Sequence, residues 1–295
     1  MSATSDTIPA AIRPFSWSVR REIWENRSIY IAPLVVAGLM LFGFAVGLVA
    51  FARHARDLSR EPTAVQVAQL AQPYNFVALA VIVTSLIVAS VYCLGALNGE
   101  RRDRSILFWK SLPVSDLTTV AAKAAIPIAV IPAATIVIVI ATQLAMLLVS
   151  TLVMLAVGVS LSPLLGGLPL WRMEGVLIYG LATLAIWHAP LYAWMLLVSG
   201  YARRVTFLWA FLPPVGLMIV EGIAFHTHYV AEILGRRIVG GFAVAFADQA
   251  SDSPDRLPHI DPLKFLGTPE VWIGMAAAAA LFGGAVYQRR YREPI

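Results

Sequence analysis

Residues 100–123 read Glu-Arg-Arg-Asp-Arg-Ser-Ile-Leu-Phe-Trp-Lys-Ser-Leu-Pro-Val-Ser-Asp-Leu-Thr-Thr-Val-Ala-Ala-Lys, the densest patch of charge between long apolar runs. Residues 76–97 before it and 124–171 after it contain no Asp, Glu, Lys or Arg. A charged stretch held between two such runs reads as a loop between membrane crossings, where the protein can be gripped and moved from the water side. Pro113 disfavours helix at Leu112. The stretch therefore divides into a helical extension of the preceding span, a short helical piece at 105–110, a break and a new start. Ser115 is the expected N-cap of that new helix, with Asp116 in its first turn.

Composition fixes the solvent. The chain has 295 residues, a mean hydropathy of +0.76, 59% apolar residues and only 13% charged ones. Soluble domains carry about 25% charge, and one aqueous core cannot hide so much apolar surface, so lipid must cover most of it. The net charge of +5 in a soluble protein would suggest nucleic acid. Here the basic residues flank apolar spans, as orientation in a bilayer requires, and no nucleic-acid partner is expected. The single cysteine, Cys93, lies in an apolar run, which excludes an intramolecular disulfide. Residues 1–11 are polar, and no apolar core with a small-residue cleavage site follows, so no cleavable signal is expected.

In chain order, residues 1–28 read as a tail and an amphipathic helix. Ile12, Phe15, Val19 and Ile23 share one face of it; Arg13, Arg20 and Arg27 repeat every seven residues beside Trp17 and Trp24. Arginines with aromatics on a short helix suggest one lying in the headgroup plane. The transmembrane domain is then 29–295, an all-α unit with six spans at about 29–51, 76–97, 124–149, 176–198, 205–225 and 271–287. Gly43 and Gly47 form a small-xxx-small pair suited to close helix packing. Residues 52–75 are expected as an outside loop, 152–171 as an outer-leaflet helix and turn, 98–123 as the inside loop and 226–270 as an extracytoplasmic helical segment. Most of the 22 lysines and arginines then fall on the side holding both termini, which makes that side cytoplasmic.

The stretch Glu100-Arg101-Arg102-Asp103-Arg104-Ser105-Ile106-Leu107, followed by Ser111-Leu112-Pro113-Val114-Ser115 and Lys123, resembles the corresponding loop of ABC-2 type permeases, the membrane-spanning subunits of one class of ABC transporters. It departs from that pattern at Arg104, where many relatives have glycine, and at Phe108 and Trp109, where small or aliphatic residues are usual. The resemblance implies that the loop docks into a cleft on a separate ATP-binding subunit. Phe108 and Trp109 would anchor in an apolar groove, with Arg101, Arg102 and Lys110 meeting acids at its rim. Glu100, Arg104, Ser105, Leu107 and Pro113 complete this coupling segment. The resemblance further implies an exporter of the bacterial cytoplasmic (inner) membrane, with two copies of the permease and two ATPases. The chain contains no Gly-x-x-x-x-Gly-Lys-Ser/Thr loop, so no cofactor is expected on it, and ATP with Mg would sit on the partner.

Few other residues carry chemistry. Gln143, His188 and Glu221 are the strong polar groups within spans and are candidates for a transport path. For His188 and Gln143 an interhelical hydrogen bond is the stronger reading, whereas for Glu221 a headgroup position stands level with the path. His226 and His228, with Glu221 and Glu232 nearby, match no strong metal motif. Trp187, Tyr192, Trp194 and Trp209 read as lipid-facing or interfacial aromatics. Two other functions compete. One is an integral-membrane enzyme using His188, His226, His228 and Glu221; the other is a non-transporting anchor or regulator of an ATPase. The apolar interior suits an amphipathic or hydrophobic cargo, and a sodium extruder shares the same composition.

Overall fold

The computed structural model describes residues 12–58, 63–103, 105, 114–158, 170–246 and 260–291. Among them every regular element is helical. The helices are α1 (Ile12–Glu25), α2 (Ser28–Leu58), α3 (Thr63–Gly95), α4 (Asn98–Arg102), α5 (Asp116–Ala125), α6 (Ile131–Val157), α7 (Leu170–Tyr201), α8 (Thr206–Phe225), α9 (Tyr229–Val239), α10 (Gly241–Ala245), α11 (Pro262–Gly267) and α12 (Pro269–Tyr291). Six stretches are long and apolar enough to cross a bilayer: Ser28–Leu48, Gln69–Arg102, Asp116–Ala156, Leu170–Tyr201, Thr206–Phe225 and Pro269–Tyr291.

Pattern and caps explain where the helices start and stop. Ser115 caps α5, its hydroxyl accepting from Thr118 N–H at 3.1 Å, with Asp116 behind it, as the sequence predicts. α5 passes into α6 through a π-helical turn, Ile126–Val130, which holds Pro127. Proline has no N–H to give and its ring crowds the preceding turn, and the wider turn accommodates both. α6 ends at Gly158 in the left-handed region, φ 72°, where a side chain would be strained. Between α3 and α4 the helix breaks. The N–H groups of Leu97 and Asn98 turn instead to the Ser199 hydroxyl of α7, both at 3.0 Å.

α7 is the central strut. It packs most extensively against α12 and also touches α3, α6, α8 and α10. α2 lies against α3 and α6, where Leu70, Tyr74, Met146 and Met154 form one apolar cluster. Ile29, Tyr92, Cys93, Ile126 and Leu196 form another toward the α1 end. α8 stands apart: only its Ala210 is buried.

Several sequence expectations need correction. The segment 52–75 is not a loop throughout, since α2 runs on to Leu58 and α3 starts at Thr63. Polar residues past the bilayer can keep the helix because water satisfies their side chains. The helix that Ser115 starts runs on through the π-helical turn into the span expected from 124, so that span and the end of the expected inside loop form one continuous helical stretch from Asp116. α6 continues unbroken through 152–157, past the start expected for a separate outer helix, and 159–169 lie outside the described residues. Gly43 and Gly47 meet no neighbour within 4 Å of where a Cβ would stand, so they mediate no close packing within this chain. Trp187 and Tyr192 are buried, not lipid-facing, whereas Trp209 is exposed. Trp194 is partly buried and donates its indole N–H to Ala210 O at 3.0 Å.

Candidate functional site

One end of the bundle holds a cluster of charge that apolar surroundings would not tolerate singly. Glu22 of α1 is 2% exposed, Glu100 of α4 9%, Lys123 of α5 2% and Arg289 of α12 5%. Lys123 Nζ lies 2.8 Å from Glu22 Oε1 and 3.1 Å from Glu100 Oε1. Arg21 Nη2 reaches the same two oxygens, at 2.8 and 3.0 Å. Two acids and two bases therefore alternate in a closed ring. Arg289 Nη1 donates to the other oxygen of Glu100, and its Nε lies 3.2 Å from Asp116 Oδ1. Tyr92 of α3 donates its hydroxyl to the remaining oxygen of Glu22 at 2.8 Å.

Local folding delivers each group. α1 turns its Val19 and Ile23 side onto the cluster of Ile29 and Ile126, which carries Glu22 inward with them. Its Trp17 and Trp24 stay exposed, with the Arg20 guanidinium over both rings. Thr119, Val120 and Lys123 occupy one buried side of α5, the i, i+3, i+4 spacing of a single helix face. Arg101 turns into the bundle and donates to Gly200 O at 2.7 Å, and Asn98 donates to Ala202 O at 2.6 Å, so α4 is also fastened to the end of α7.

The electrostatics are balanced. Buried ions are tolerated when each is paired and its remaining donors and acceptors are filled. Glu22 and Glu100 have every carboxylate oxygen occupied. For Arg21, burial opposes the charge, but Glu22, Glu25 and Glu100 together hold its pKa above the ordinary value. At the rim, burial pushes the Glu25 carboxyl above the usual range, against the pull of Arg21. Every carboxylate oxygen of the two buried acids is filled, and the ring ties α1, α3–α4, α5 and α12 together.

The coupling segment expected from sequence begins and ends on this junction. Glu100 and Arg101 are part of it, and Arg101 is committed to Gly200 O instead of being free to meet a partner's acids, contrary to expectation. Arg102 projects outward. The Ser105 hydroxyl donates to Glu100 O at 3.4 Å. Arg104, Leu107, Phe108, Trp109, Lys110 and Pro113 lie outside the described residues, as does the side chain of Arg13; Arg27 is exposed.

The three intramembrane candidates are scattered. Gln143 of α6 donates to Tyr74 O at 3.3 Å, while its carbonyl oxygen is buried without a partner. His188 of α7 is buried between Leu184 O at 2.9 Å and Ile238 O at 3.1 Å, an interhelical link to α9. Glu221 accepts from the Thr227 hydroxyl and from Tyr229 and Val230 N–H at 2.7–2.8 Å. It thus caps the start of α9 instead of facing a path. No group of His, Cys, Asp or Glu suited to a metal occurs among the described residues.

Sequence reasoning missed Glu22, Lys123 and Arg289 as a set: it read Lys123 as the end of the loop pattern and Arg289 as an orientation charge. A signal existed. Lys123 is a lone cation between alanines ahead of an uncharged run of 48 residues, and Glu22 is an acid among the arginines of α1.

The chain is a multi-pass helical membrane protein with this ionic junction at one end. Comparison with family models, with curated proteins and with solved structures returns no match.

Proposed function

We propose that the chain is the membrane subunit of an ATP-driven ABC-2 type exporter, working with a separate ATP-binding subunit. The observation that carries the reading is where the described flanks of residues 106–113 lie. One end leaves from α4, beside Glu100; the other returns to α5, whose Asp116 and Lys123 join the same network. A push on that segment acts at once on α1, α3, α5 and α12, which is what a contact point for an external motor requires. An even number of spans would put both described ends of the chain on one side of the bilayer, the side of the junction, which supports the reading. We assign that side to the cytoplasm of a bacterial inner membrane, α1 to the headgroup plane and 226–270 to the opposite face. Two copies with two ATPases would complete the machine, ATP and Mg being held by the partner.

The test is co-purification from native membranes followed by ATPase assay of the reconstituted complex. An ATP-binding protein is expected to copurify with the wild type and to be lost with Trp109→Ala. If Trp109→Ala leaves both assembly and coupled hydrolysis intact, the docking assignment is wrong. An ATPase that assembles but never responds to any cargo would favour the anchor or regulator instead.

A further inference from the structure

A second cation, half-buried, lies away from the junction. Arg237 of α9 projects toward α12, where Gly274 leaves the space: a Cβ there would strike its guanidinium. Its two hydrogen bonds go to main-chain carbonyls, Trp187 O at 3.3 Å and Glu270 O at 3.0 Å, and its guanidinium stacks 4.4 Å from the Trp187 ring. The Glu270 carboxylate is taken by Arg236. Among the described residues no carboxylate lies within ion-pair distance of Arg237.

That guanidinium borders an open groove of about 480 Å³ between four helices. Pro190 and Trp194 of α7, Pro213 and Leu217 of α8, Ile233 of α9 and Ala277 of α12 line it. The two prolines of α8 and the one in α7 mark where the backbones are least regular. Along α12 the lining runs from Ile273 beside Arg237 to Leu281, a depth of about 12 Å at helical rise. α12 enters its span at Pro269. The cation thus stands one turn into the apolar segment, and the groove extends from it toward mid-span. A cation near the boundary with an apolar slot beneath it has the polarity of a single-chain anionic amphiphile. The planar fork of arginine suits a carboxylate, and the volume falls in the range of small-ligand sites.

We propose that this groove binds a fatty-acid carboxylate drawn from the bilayer, its head paired with Arg237 and its chain lying between α7, α8 and α12. The site does not rest on the transporter reading, because it needs no ATPase.

The full chain in nanodiscs of dioleoyl phosphatidylcholine is titrated with a photoactivatable oleate analogue and with the matching oleyl alcohol, and labelled peptides are mapped by mass spectrometry. Saturable oleate labelling is expected within 190–194, 213–217 and 273–281, with the alcohol much weaker. Arg237→Gln should weaken oleate by about 30-fold, the low end for removing one partner of a desolvated charge pair, and leave the alcohol unchanged. Arg237→Lys should keep most of the affinity, and Ala277→Trp, which fills the slot, should abolish both. Labelling that does not saturate or maps elsewhere overturns the proposal. So does equal binding of acid and alcohol to the wild type, or oleate affinity unmoved by Arg237→Gln. Should Arg237→Gln not fold, as judged by its elution profile, Ala277→Trp and the wild-type comparison of acid with alcohol decide the matter. Failure here leaves the docking of an ATPase untouched.

Discussion

The two ends of α12 meet charge in different ways. At its C-terminal end, Arg289 is held by Glu100 and Asp116 in a network that also includes Glu22, Lys123, Arg21 and Tyr92. At its N-terminal end, Arg237 leans across Gly274 and receives only backbone carbonyls and an indole face. The first arrangement locks five segments together and leaves no acceptor of its two buried acids unfilled. The second leaves a net positive charge beside an open apolar groove, flanked by α8, of which one residue alone is buried.

That contrast can be broken experimentally, beginning where the effect is largest. Lys123→Met removes the cation shared by two buried carboxylates and should cost about 3–5 kcal/mol, seen as a large drop in apparent melting temperature in detergent. Pairing it with Glu22→Gln should recover part of that loss, because neutralising both partners leaves less uncompensated charge; a strictly additive double variant would show that the ring is not a unit. His188→Phe deletes the link from α7 to Ile238 O and should cost about 1–3 kcal/mol, loosening α9 in hydrogen exchange before the junction responds. Ser115→Ala removes the cap of α5 and should cost about 1 kcal/mol, with faster exchange at Thr118 N–H. Ile223→Ala on the exposed side of α8 should stay within about 0.5 kcal/mol. A loss as large as that of Lys123→Met would mean that α8 packs against something besides lipid.

Helix class and number were legible in the chain, and the reason is physical. Apolar runs of span length can satisfy their backbone in lipid only as helices, so 29–51, 76–97 and 176–198 announced themselves. Ser115 was legible because capping is a local event. Helix ends were less so: α2 and α3 run past the apolar runs through polar residues that have no periodicity in lipid. The junction was half legible. Glu100 and Arg101 stood out as charges beside a span, but the direction in which Arg101 points depends on Gly200, 99 residues away. Glu221 illustrates the converse. An acid inside an apolar run looked like a path residue until the chain folded back and presented Tyr229 and Val230 N–H to it.

By itself the sequence determined that the protein lives in a bilayer, crosses it as helices, and carries its charge at their ends, because those outcomes follow from solvation of each segment taken alone. Only the tertiary structure decided which charges are neutralised and which are not. Glu22 and Lys123 are 101 residues apart, and Glu100 and Arg289 189 apart. No local energy prefers one partner to another until α1, α4, α5 and α12 converge. Arg237 came to lie against main-chain carbonyls and the Trp187 ring, and Arg289 against two carboxylates, through packing alone.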